Sequence, residues 1–268
     1  MKGFITKSRA ILTKDRAVLI RDRGLVILSV ISLIFLWKII SLAAASELLL
    51  PAPEKTFRVL VKLVTSDEFV FSVGHTVLRG LLGFLLSLAV GIITGIMAGL
   101  NRTFDVMIKP VLVAVRATPV ISIILLALIW LSTDLVPVFI GFLIMYPIIS
   151  TNVTEGIKSV DGELVAMAKT YRVKSSRLIR EVYIPAISPF ITGGISNAAG
   201  IGWKAIIASE VLSQPKFAIG TQMHTAQSYL MVAELVAWTV IAVLLSYIFE
   251  ILIRLFEKRA AAWRREIL

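Results

Sequence analysis

The segment VLRGLLGFLLSLAVGIITGIMAGL, residues 77–100, decides the class of fold to which this chain belongs. It is almost wholly apolar, and a helix needs about 20 such residues to cross the hydrocarbon core of a bilayer. Gly91, Gly95 and Gly99 recur in it at a four-residue spacing, which lets two helix backbones approach closely in lipid. We therefore expect a membrane-spanning helix whose glycines pack inside a helical bundle rather than form a dedicated dimer seam.

The rest of the chain has the composition of an integral membrane protein. Of its 268 residues 57% are hydrophobic, and the mean hydropathy is +0.90. Soluble domains average about 45–50% apolar residues. Further runs of spanning length lie at 25–46, 110–132, 135–153, 187–209 and 230–253. The sequence thus predicts an all-α integral membrane fold with six transmembrane helices in a single domain at 25–268.

The first of these runs has one competing interpretation. It ends in AAAS at 43–46, which is typical of a signal-peptide cleavage site. The apolar core of a signal peptide is only about 7–15 residues long, and this run is longer and follows a long charged arm. We therefore expect the run to be retained as a helix.

Lysine and arginine are distributed unevenly between the loops. Twenty of them lie in four alternate segments, at 1–24, 101–109, 153–184 and 254–268. Four lie in the loops between, at 47–75, 133–137 and 210–230. Basic loops remain in the cytoplasm, so both termini are expected there, with 1–24 as a basic cytoplasmic arm. The net charge of +11 then faces an anionic membrane surface, and a nucleic-acid partner is not expected.

The residues of common catalytic and metal sites are missing from the sequence. There is no cysteine, which excludes disulfides and thiolate metal sites. His75 and His224 stand far apart with no second ligand at a suitable spacing, so no metal site and no enzyme activity are predicted. No G-x-x-x-x-G-K-[ST] stretch is present, so the chain cannot cradle ATP by the usual phosphate loop. Any driving energy must come from another chain or from an ion gradient.

A charged stretch at 163–185, ELVAMAKTYRVKSSRLIREVYIP, interrupts the apolar runs within the loop at 157–185. As a helix it would place an apolar stripe on one face, made of Leu164, Met167, Ala168 and Tyr171. An elbow near Val173-Lys174 would separate this helix from a second short one, which Pro185 would end before the fifth span. Such a stripe packs on its own bundle, on the membrane surface or in the groove of a partner. A simple solvated basic loop is the alternative.

The fifth span contains polar and ionisable residues, which are costly in hydrocarbon and often functional. We assign four of its residues or neighbours to a translocation path: Asn197, Trp203, Lys204 and Glu210. Lys204 either lines the path and attracts an anionic or polar substrate, or extends to the surface or pairs with a glutamate. Arg116 lies one or two helical turns from Lys109, so we place it near the cytoplasmic interface.

The charged loop and its closing Ile184-Pro185 resemble the coupling motif of permease subunits of binding-protein-dependent ATP-driven importers. That motif consists of Glu-Ala-Ala, three residues, Gly, a spacer, an aliphatic residue and Pro. Aligned on Pro185, it puts Ala166 at the acidic position and Arg172 at the glycine, so only Ala168, Ile184 and Pro185 match. Further segments resemble the nitrate, sulfonate and taurine branch of that family, at 49–63, 78–102, 108–130, 157–164 and 200–212.

The resemblance implies a type I importer permease bundle with a cytoplasmic coupling helix, in a bacterial-type cell membrane. It implies two permease copies forming a homodimer, two ATP-binding cassette ATPase subunits that hold ATP and Mg, and an extracytoplasmic substrate-binding protein. This chain itself would bind no cofactor. Contact with the ATPase is expected at Leu164, Met167, Ala168, Tyr171, Arg172, Lys174 and Pro185.

The expected substrate is a small anion or polar solute similar to sulfonate or nitrate. Two other classes of protein remain as alternatives. One is a self-contained ion-coupled secondary transporter or channel, and the other is a membrane-embedded structural subunit without a path of its own.

Overall fold

The computed structural model describes residues 24–262, with side chains as far as residue 255. All regular structure in that range is helical. Apart from Gly24, the predicted basic arm at 1–24 lies outside the described residues, and so do the last six residues of the predicted domain.

The helices follow one another with short connections between them. They are α1 (Gly24–Ala44), α2 (Pro53–Val64), α3 (Asp67–Leu100), α4 (Arg102–Ala117), α5 (Val120–Trp130), α6 (Leu135–Lys158), α7 (Gly162–Thr170), α8 (Ser175–Leu178), a π-helical turn (Ile179–Tyr183), α9 (Ile184–Ser213), α10 (Ile219–Ser228) and α11 (Val232–Ala262). Because α9 leads from the segment with α7 to the segment with α10, these two segments lie at opposite ends of it. We call them the α7 end and the α10 end.

Four helices of the described range are long and apolar enough to cross a membrane, namely α1, α3, α6 and α11. They contain the predicted spans 25–46 (to within two residues), 77–100, 135–153 and 230–253 (also to within two). The predicted span 187–209 lies in α9, which has the length of a span but does not reach the same apolarity because of its polar and glycine residues. The described chain therefore has four or five candidate spans rather than the six expected.

The predicted span 110–132 is wrong as a single helix. It is divided between α4 and α5, whose axes bend by 99° at the connection. Thr118 there adopts an extended conformation with ψ of 129°, as expected for a residue that precedes a proline. Pro119 immediately precedes the first residue of α5. The fixed φ of proline is tolerated at the start of a helix.

Helix α6 lies at the centre of the bundle, between α3 on one side and α9 on the other. The glycines of α3 allow this close approach: a Cβ added to Gly95 would lie 2.6 Å from the Cβ of Val153, and one added to Gly99 would lie 2.6 Å from the Cβ of Ile157. Real side chains do not tolerate such distances. The prediction that the glycine series packs inside the bundle is confirmed.

Helix α1 is attached to the rest of the chain mainly through the start of α2. The indole Nε1 of Trp37 donates to the carbonyl oxygen of Pro51 at 3.2 Å, and Lys38 forms an ion pair with Glu54 at 2.7 Å. The hydrogen bond from Lys38 lowers the pKa of the exposed Glu54 carboxyl below its usual value. Lys38 is therefore neutralised at one end of an apolar helix, where its long side chain reaches a partner outside that helix.

Candidate functional site

A cavity of about 440 Å³ lies between α4, α6 and α9. Its polar lining comes from Arg116 on α4, from Thr151, Asn152 and Glu155 on α6, and from Asn197 on α9. The remaining lining is Pro147 and aliphatic side chains from the same three helices. Its size falls within the range of about 300–1,000 Å³ that is typical of small-molecule sites, and so does its mixture of apolar wall and few polar groups.

Arg116 is the only cationic residue among the described residues of this lining. Its Nη2 donates to the carbonyl oxygen of Pro147 at 2.7 Å and to the hydroxyl oxygen of Thr151. Both acceptors are neutral, and within the described residues Arg116 forms no ion pair. The guanidinium is thus held in position while its charge remains uncompensated. The sequence placed Arg116 near an interface and missed its role as a lining residue, although an ionisable residue in an apolar run was the available signal.

Helix α9 has one face that the described residues of the chain leave uncovered. Gly193, Asn197, Ile201, Lys204 and Ala208 recur on it at intervals of three or four residues and are all exposed. A Cβ added to Gly193 would meet no atom within 4 Å. Two of the predicted path residues, Asn197 and Lys204, therefore share this open face, and Asn197 also lines the cavity.

The opposite face of α9 is tightly packed, and it contains the predicted path residue Trp203. Its indole is 3% exposed, its ring lies 5.7 Å from that of Phe249, and its Nε1 donates to the carbonyl oxygen of Ala242 at 3.3 Å. On the same face Gly202 lies against Met145, where an added Cβ would come within 2.3 Å of a side-chain carbon. The structure thus places Trp203 in the helix packing and not at the cavity.

Glu210, the fourth predicted path residue, is also fully buried, at the α10 end of α9. Its Oε1 accepts from Arg79 Nη1 at 3.1 Å, and its Oε2 accepts from the Thr76 hydroxyl at 2.9 Å and from the backbone N–H of Gly220 at 3.2 Å. Burying a carboxylate is costly unless it is paired and hydrogen-bonded, and here all of these conditions are met. Glu210, which was predicted to line the path, is thus held in a structural network of hydrogen bonds.

Arg79 is the centre of this network, and no role was predicted for it from the sequence. Its side chain is 6% exposed, and Nη1 donates to the carbonyl oxygen of Phe217 at 2.8 Å besides its bond to Glu210. Its Nη2 forms an ion pair with Asp134, in the turn before α6. We call Arg79, Glu210, Thr76 and Asp134 the Arg79 network. It joins α3, α9, the α5–α6 turn and the segment before α10.

The segment at 157–185 forms two helical pieces with a break between them. Helix α7 ends at Thr170 and α8 begins at Ser175, so the predicted elbow near Val173-Lys174 is confirmed. Pro185 does not end the second piece, contrary to prediction, because helix continues from Ser175 through α9. The π-helical turn just before Pro185 explains this. The N–H of Ile184 bonds to the carbonyl of Ile179, five residues back, so the hydrogen-bond pattern has already changed before Pro185. The missing N–H of the proline therefore does not interrupt the helix.

The apolar stripe of α7 is not covered by any other part of the chain that the structure describes. The exposed fraction is 45% for Leu164, 53% for Met167 and 78% for Tyr171, and α7 contains no buried residue. Lys174 is exposed as well, and Ala168 is half-buried. Of the surfaces predicted for this stripe, packing on its own bundle is not observed.

Comparison with known proteins identifies the family. The family described as binding-protein-dependent transport system inner membrane component matches residues 87–262, more than half of the chain. The chain belongs to this family. The match begins within α3 and includes the cavity, the Glu210 side of the Arg79 network and α7.

Three relatives show the branch of this permease family. SsuC of Bacillus subtilis, named for aliphatic sulfonates transport, is 26% identical over 87% of this chain and 84% of its own length. TauC of Escherichia coli, named for taurine transport, is 21% identical over 86% of each chain. CmpB of Synechococcus elongatus, named for bicarbonate transport, is 29% identical over 52% of this chain and 50% of its own length. All three are named as transport permeases, so this chain is a transport subunit of the family and is similar to members named for aliphatic sulfonates, taurine and bicarbonate.

The connection between α7 and α8 contains one residue with an unusual backbone conformation. Arg172, at the position of the family motif's glycine, has a φ of 53°. Its N–H bonds to the carbonyl of Lys169 at 3.0 Å, and the N–H of Val173 bonds to that of Ala168 at 2.9 Å. These two bonds define the Schellman motif that ends many helices, in which glycine normally takes the left-handed position. Arg172 therefore adopts the backbone conformation expected of the motif's glycine, at a steric cost of about 1 kcal/mol.

Proposed function

We propose that this permease forms the membrane path of an ATP-driven importer for a small anion. The observation that carries the proposal is the open face of α9, where Asn197 and Lys204 lie beside a cavity that contains Arg116. A face with glycine, asparagine and lysine is unfavourable in lipid and suitable for an aqueous path. Because Trp203 and Glu210 lie in packed contacts, the proposed path includes Asn197 and Lys204 without them.

The open face also supports the proposal of a second permease copy. The described chain covers one side of α9 and leaves the other without a neighbour, so two copies facing each other would enclose a path between them. A symmetric pair of identical subunits is the commonest oligomer of soluble proteins, and we extend that expectation to a homodimer here. An extracytoplasmic binding protein, as the family description implies, would deliver the substrate at the α10 end.

We further propose that α7 docks in a surface groove of a separate ATPase, which holds the ATP and Mg. The exposed stripe of Leu164, Met167 and Tyr171 would supply the apolar contact, as amphipathic helices do in other grooves. Ala168, Arg172, Lys174 and Pro185 would hold or flank that contact. The α7 end is then cytoplasmic, in agreement with the basic residues of its loops, and both termini lie on that side.

The substrate class is proposed from chemistry and from the relatives. Aliphatic sulfonates, taurine and bicarbonate, to which the relatives' names refer, each have an anionic group with several oxygens. The two cations beside the open face, Arg116 and Lys204, would attract such a group. A small sulfonate is the first substrate to test.

The test is reconstitution of the permease with its ATPase and binding protein in liposomes. We expect sulfonate uptake that requires ATP, and ATP hydrolysis that rises when loaded binding protein is added. Uptake that follows an imposed ion gradient without the ATPase would contradict the importer and support the self-contained transporter. A permease that binds the ATPase but moves no solute would support the structural subunit.

A further inference from the structure

The cavity between α4, α6 and α9 contains a cation that the protein positions but does not neutralise. A guanidinium has five N–H donors. Two bonds from Nη2 of Arg116, to Pro147 and Thr151, fix its orientation on α6. In the part of the chain with described side chains, neither Nη1 nor Nε donates to a protein acceptor. The Nε–H and Nη1–H groups therefore remain available, and each can donate a charge-assisted hydrogen bond to an oxygen of a carboxylate, sulfonate or similar oxyanion.

The rest of the lining suits a small oxyanion with a short apolar part. Asn152 and Asn197 provide amide groups that can bond to further oxygens, while Ile144, Ile148 and Ile201 form an apolar wall. Asn152 already donates one N–H to the carbonyl of Ile148 at 2.8 Å, which fixes its amide in position. A volume of about 440 Å³ holds a solute of several heavy atoms and excludes a large one.

Among the described lining residues Glu155 is the only acidic one, and its position gives the cavity a polarity. It lies four residues beyond Thr151, the hydroxyl partner of Arg116 on α6, and so about 6 Å further towards the α7 end. Arg116 and Glu155 form no ion pair in the described structure, so the carboxylate does not neutralise the guanidinium. An anion is attracted at the Arg116 side of the cavity and repelled at the Glu155 side.

We infer that this permease has a binding site of its own for a small oxyanion, with Arg116 as the charge-recognising residue and Asn152 and Asn197 as neighbours. This inference rests on the proposed function, because the site would lie on the transport path. It goes further by assigning recognition of the anion to the membrane subunit. The permease would then select charge a second time, after the binding protein has released its substrate.

Charge-selective labelling tests this site directly, because the native chain has no cysteine. The variant Asn197→Cys introduces a thiol into the lining, and the full chain is placed in lipid nanodiscs. The thiol is labelled with an anionic methanethiosulfonate that has a sulfonate group and, separately, with a cationic one that has a trimethylammonium group. The ratio of the two rates reports the local electrostatic potential at the cavity.

We expect the ratio of anionic to cationic labelling to fall roughly tenfold when Arg116→Gln is added to Asn197→Cys. Arg116→Lys, which keeps the charge, should restore most of the ratio. Ala208→Cys is the matched control, since it lies on the same open face, 11 residues and about 16 Å further along the helix. That distance exceeds the screening length of about 8–10 Å, so the ratio there should not respond to Arg116→Gln.

Protection from labelling distinguishes binding from a mere electrostatic potential. Methanesulfonate should slow the reaction at Asn197→Cys, and dimethyl sulfone, which has a similar shape and no charge, should not. Equal protection by both compounds, or a labelling ratio that ignores Arg116→Gln, would overturn the site. Since no ATP or partner is needed, failure of the site is distinct from failure of the importer, which would appear as absence of ATP-driven uptake in the complete complex.

Discussion

Arg79 and Arg116 each donate to a backbone carbonyl, yet the two guanidinium groups differ in their burial and in their charged partners. Arg79 is buried at the α10 end, where it meets two carboxylates, Glu210 and Asp134, together with a backbone carbonyl. Arg116 lies at an open cavity and has only neutral acceptors, from Pro147 and Thr151. A buried charge without a partner would cost several kcal/mol, so the first arginine must be neutralised, whereas the second remains available.

This difference indicates which charges maintain the fold and which serve transport. The same separation appears on α9, where Gly202 lies on a face without space for a methyl group and Gly193 lies on a face that is open. The packed face belongs to the helix core, and the open face belongs to the proposed path. Each prediction below alters one side of this contrast and uses the other side as its control.

The largest loss of stability should follow Arg79→Gln. The substitution leaves Glu210 buried with an uncompensated charge, for which we expect a cost of about 3–5 kcal/mol. Thermal unfolding of the purified protein in detergent measures it. Arg116→Gln is the matched control, with an expected change within about 0.5 kcal/mol because its side chain is exposed. Equal destabilisation by the two variants would break the contrast between the arginines.

Adding one methyl group at Gly95 or at Gly193 should have a smaller effect on stability, with opposite sign at the two positions. Gly95→Ala should destabilise the protein by about 1–3 kcal/mol, since the new carbon would overlap Val153 and the backbone oxygen of Ser150. Gly193→Ala meets open space and should stabilise helix α9 by up to about 1 kcal/mol. The same unfolding measurement applies to both, and a stabilising Gly95→Ala would contradict the close packing of α3 on α6.

The coupling segment offers a third comparison, between its apolar stripe and the adjacent surface of α7. We expect Met167→Glu to reduce copurification of the ATPase and ATP-driven uptake by roughly tenfold, because it places a charge in the proposed apolar contact. Ala166→Glu adds the same charge at the preceding residue. That residue is also exposed, and the family motif has an acid there. This substitution should leave coupling intact. Normal copurification and uptake with Met167→Glu would show that the stripe is not the docking surface.

The smallest effect should come from substitutions of Arg172, a third arginine, whose left-handed backbone conformation is unfavourable for a residue with a side chain. Arg172→Gly removes a side chain from a left-handed position and should stabilise the end of α7 by about 1 kcal/mol. Arg172→Val should destabilise it, since β-branched residues are least tolerant of positive φ. Hydrogen exchange of the α7 amides is the appropriate measurement. Faster exchange in Arg172→Gly than in the native protein would contradict the conformational assignment.

The sequence predicted most of the helices but not the partners of their charged residues. Apolar runs located α1, α3, α6 and α11, and the four-residue glycine spacing predicted the close packing of α3 inside the bundle. The sequence contained an indication of the bend at Thr118-Pro119, because the residue before a proline avoids helical conformation. It was missed because the apolar run continues on both sides of the proline.

The candidate site required the three-dimensional structure. Arg116 depends on acceptors 31 and 35 residues away, and Arg79 on a carboxylate 131 residues away, so neither contact can be deduced from local spacing. The polar residues of the fifth span were all assigned to one translocation path, because the sequence does not show which side of α9 packs. The structure divides them: Asn197 and Lys204 lie on the open face, and Trp203 and Glu210 are buried.

Uptake by Arg116→Gln in the reconstituted complex decides whether Arg116 takes part in transport. We predict that ATP-driven uptake of the sulfonate falls at least about tenfold, that Arg116→Lys recovers a large part of it, and that the unfolding temperature and the bound ATPase remain as in the native complex. Native uptake in Arg116→Gln, measured with the same amount of folded complex, would contradict the assignment of Arg116 to transport.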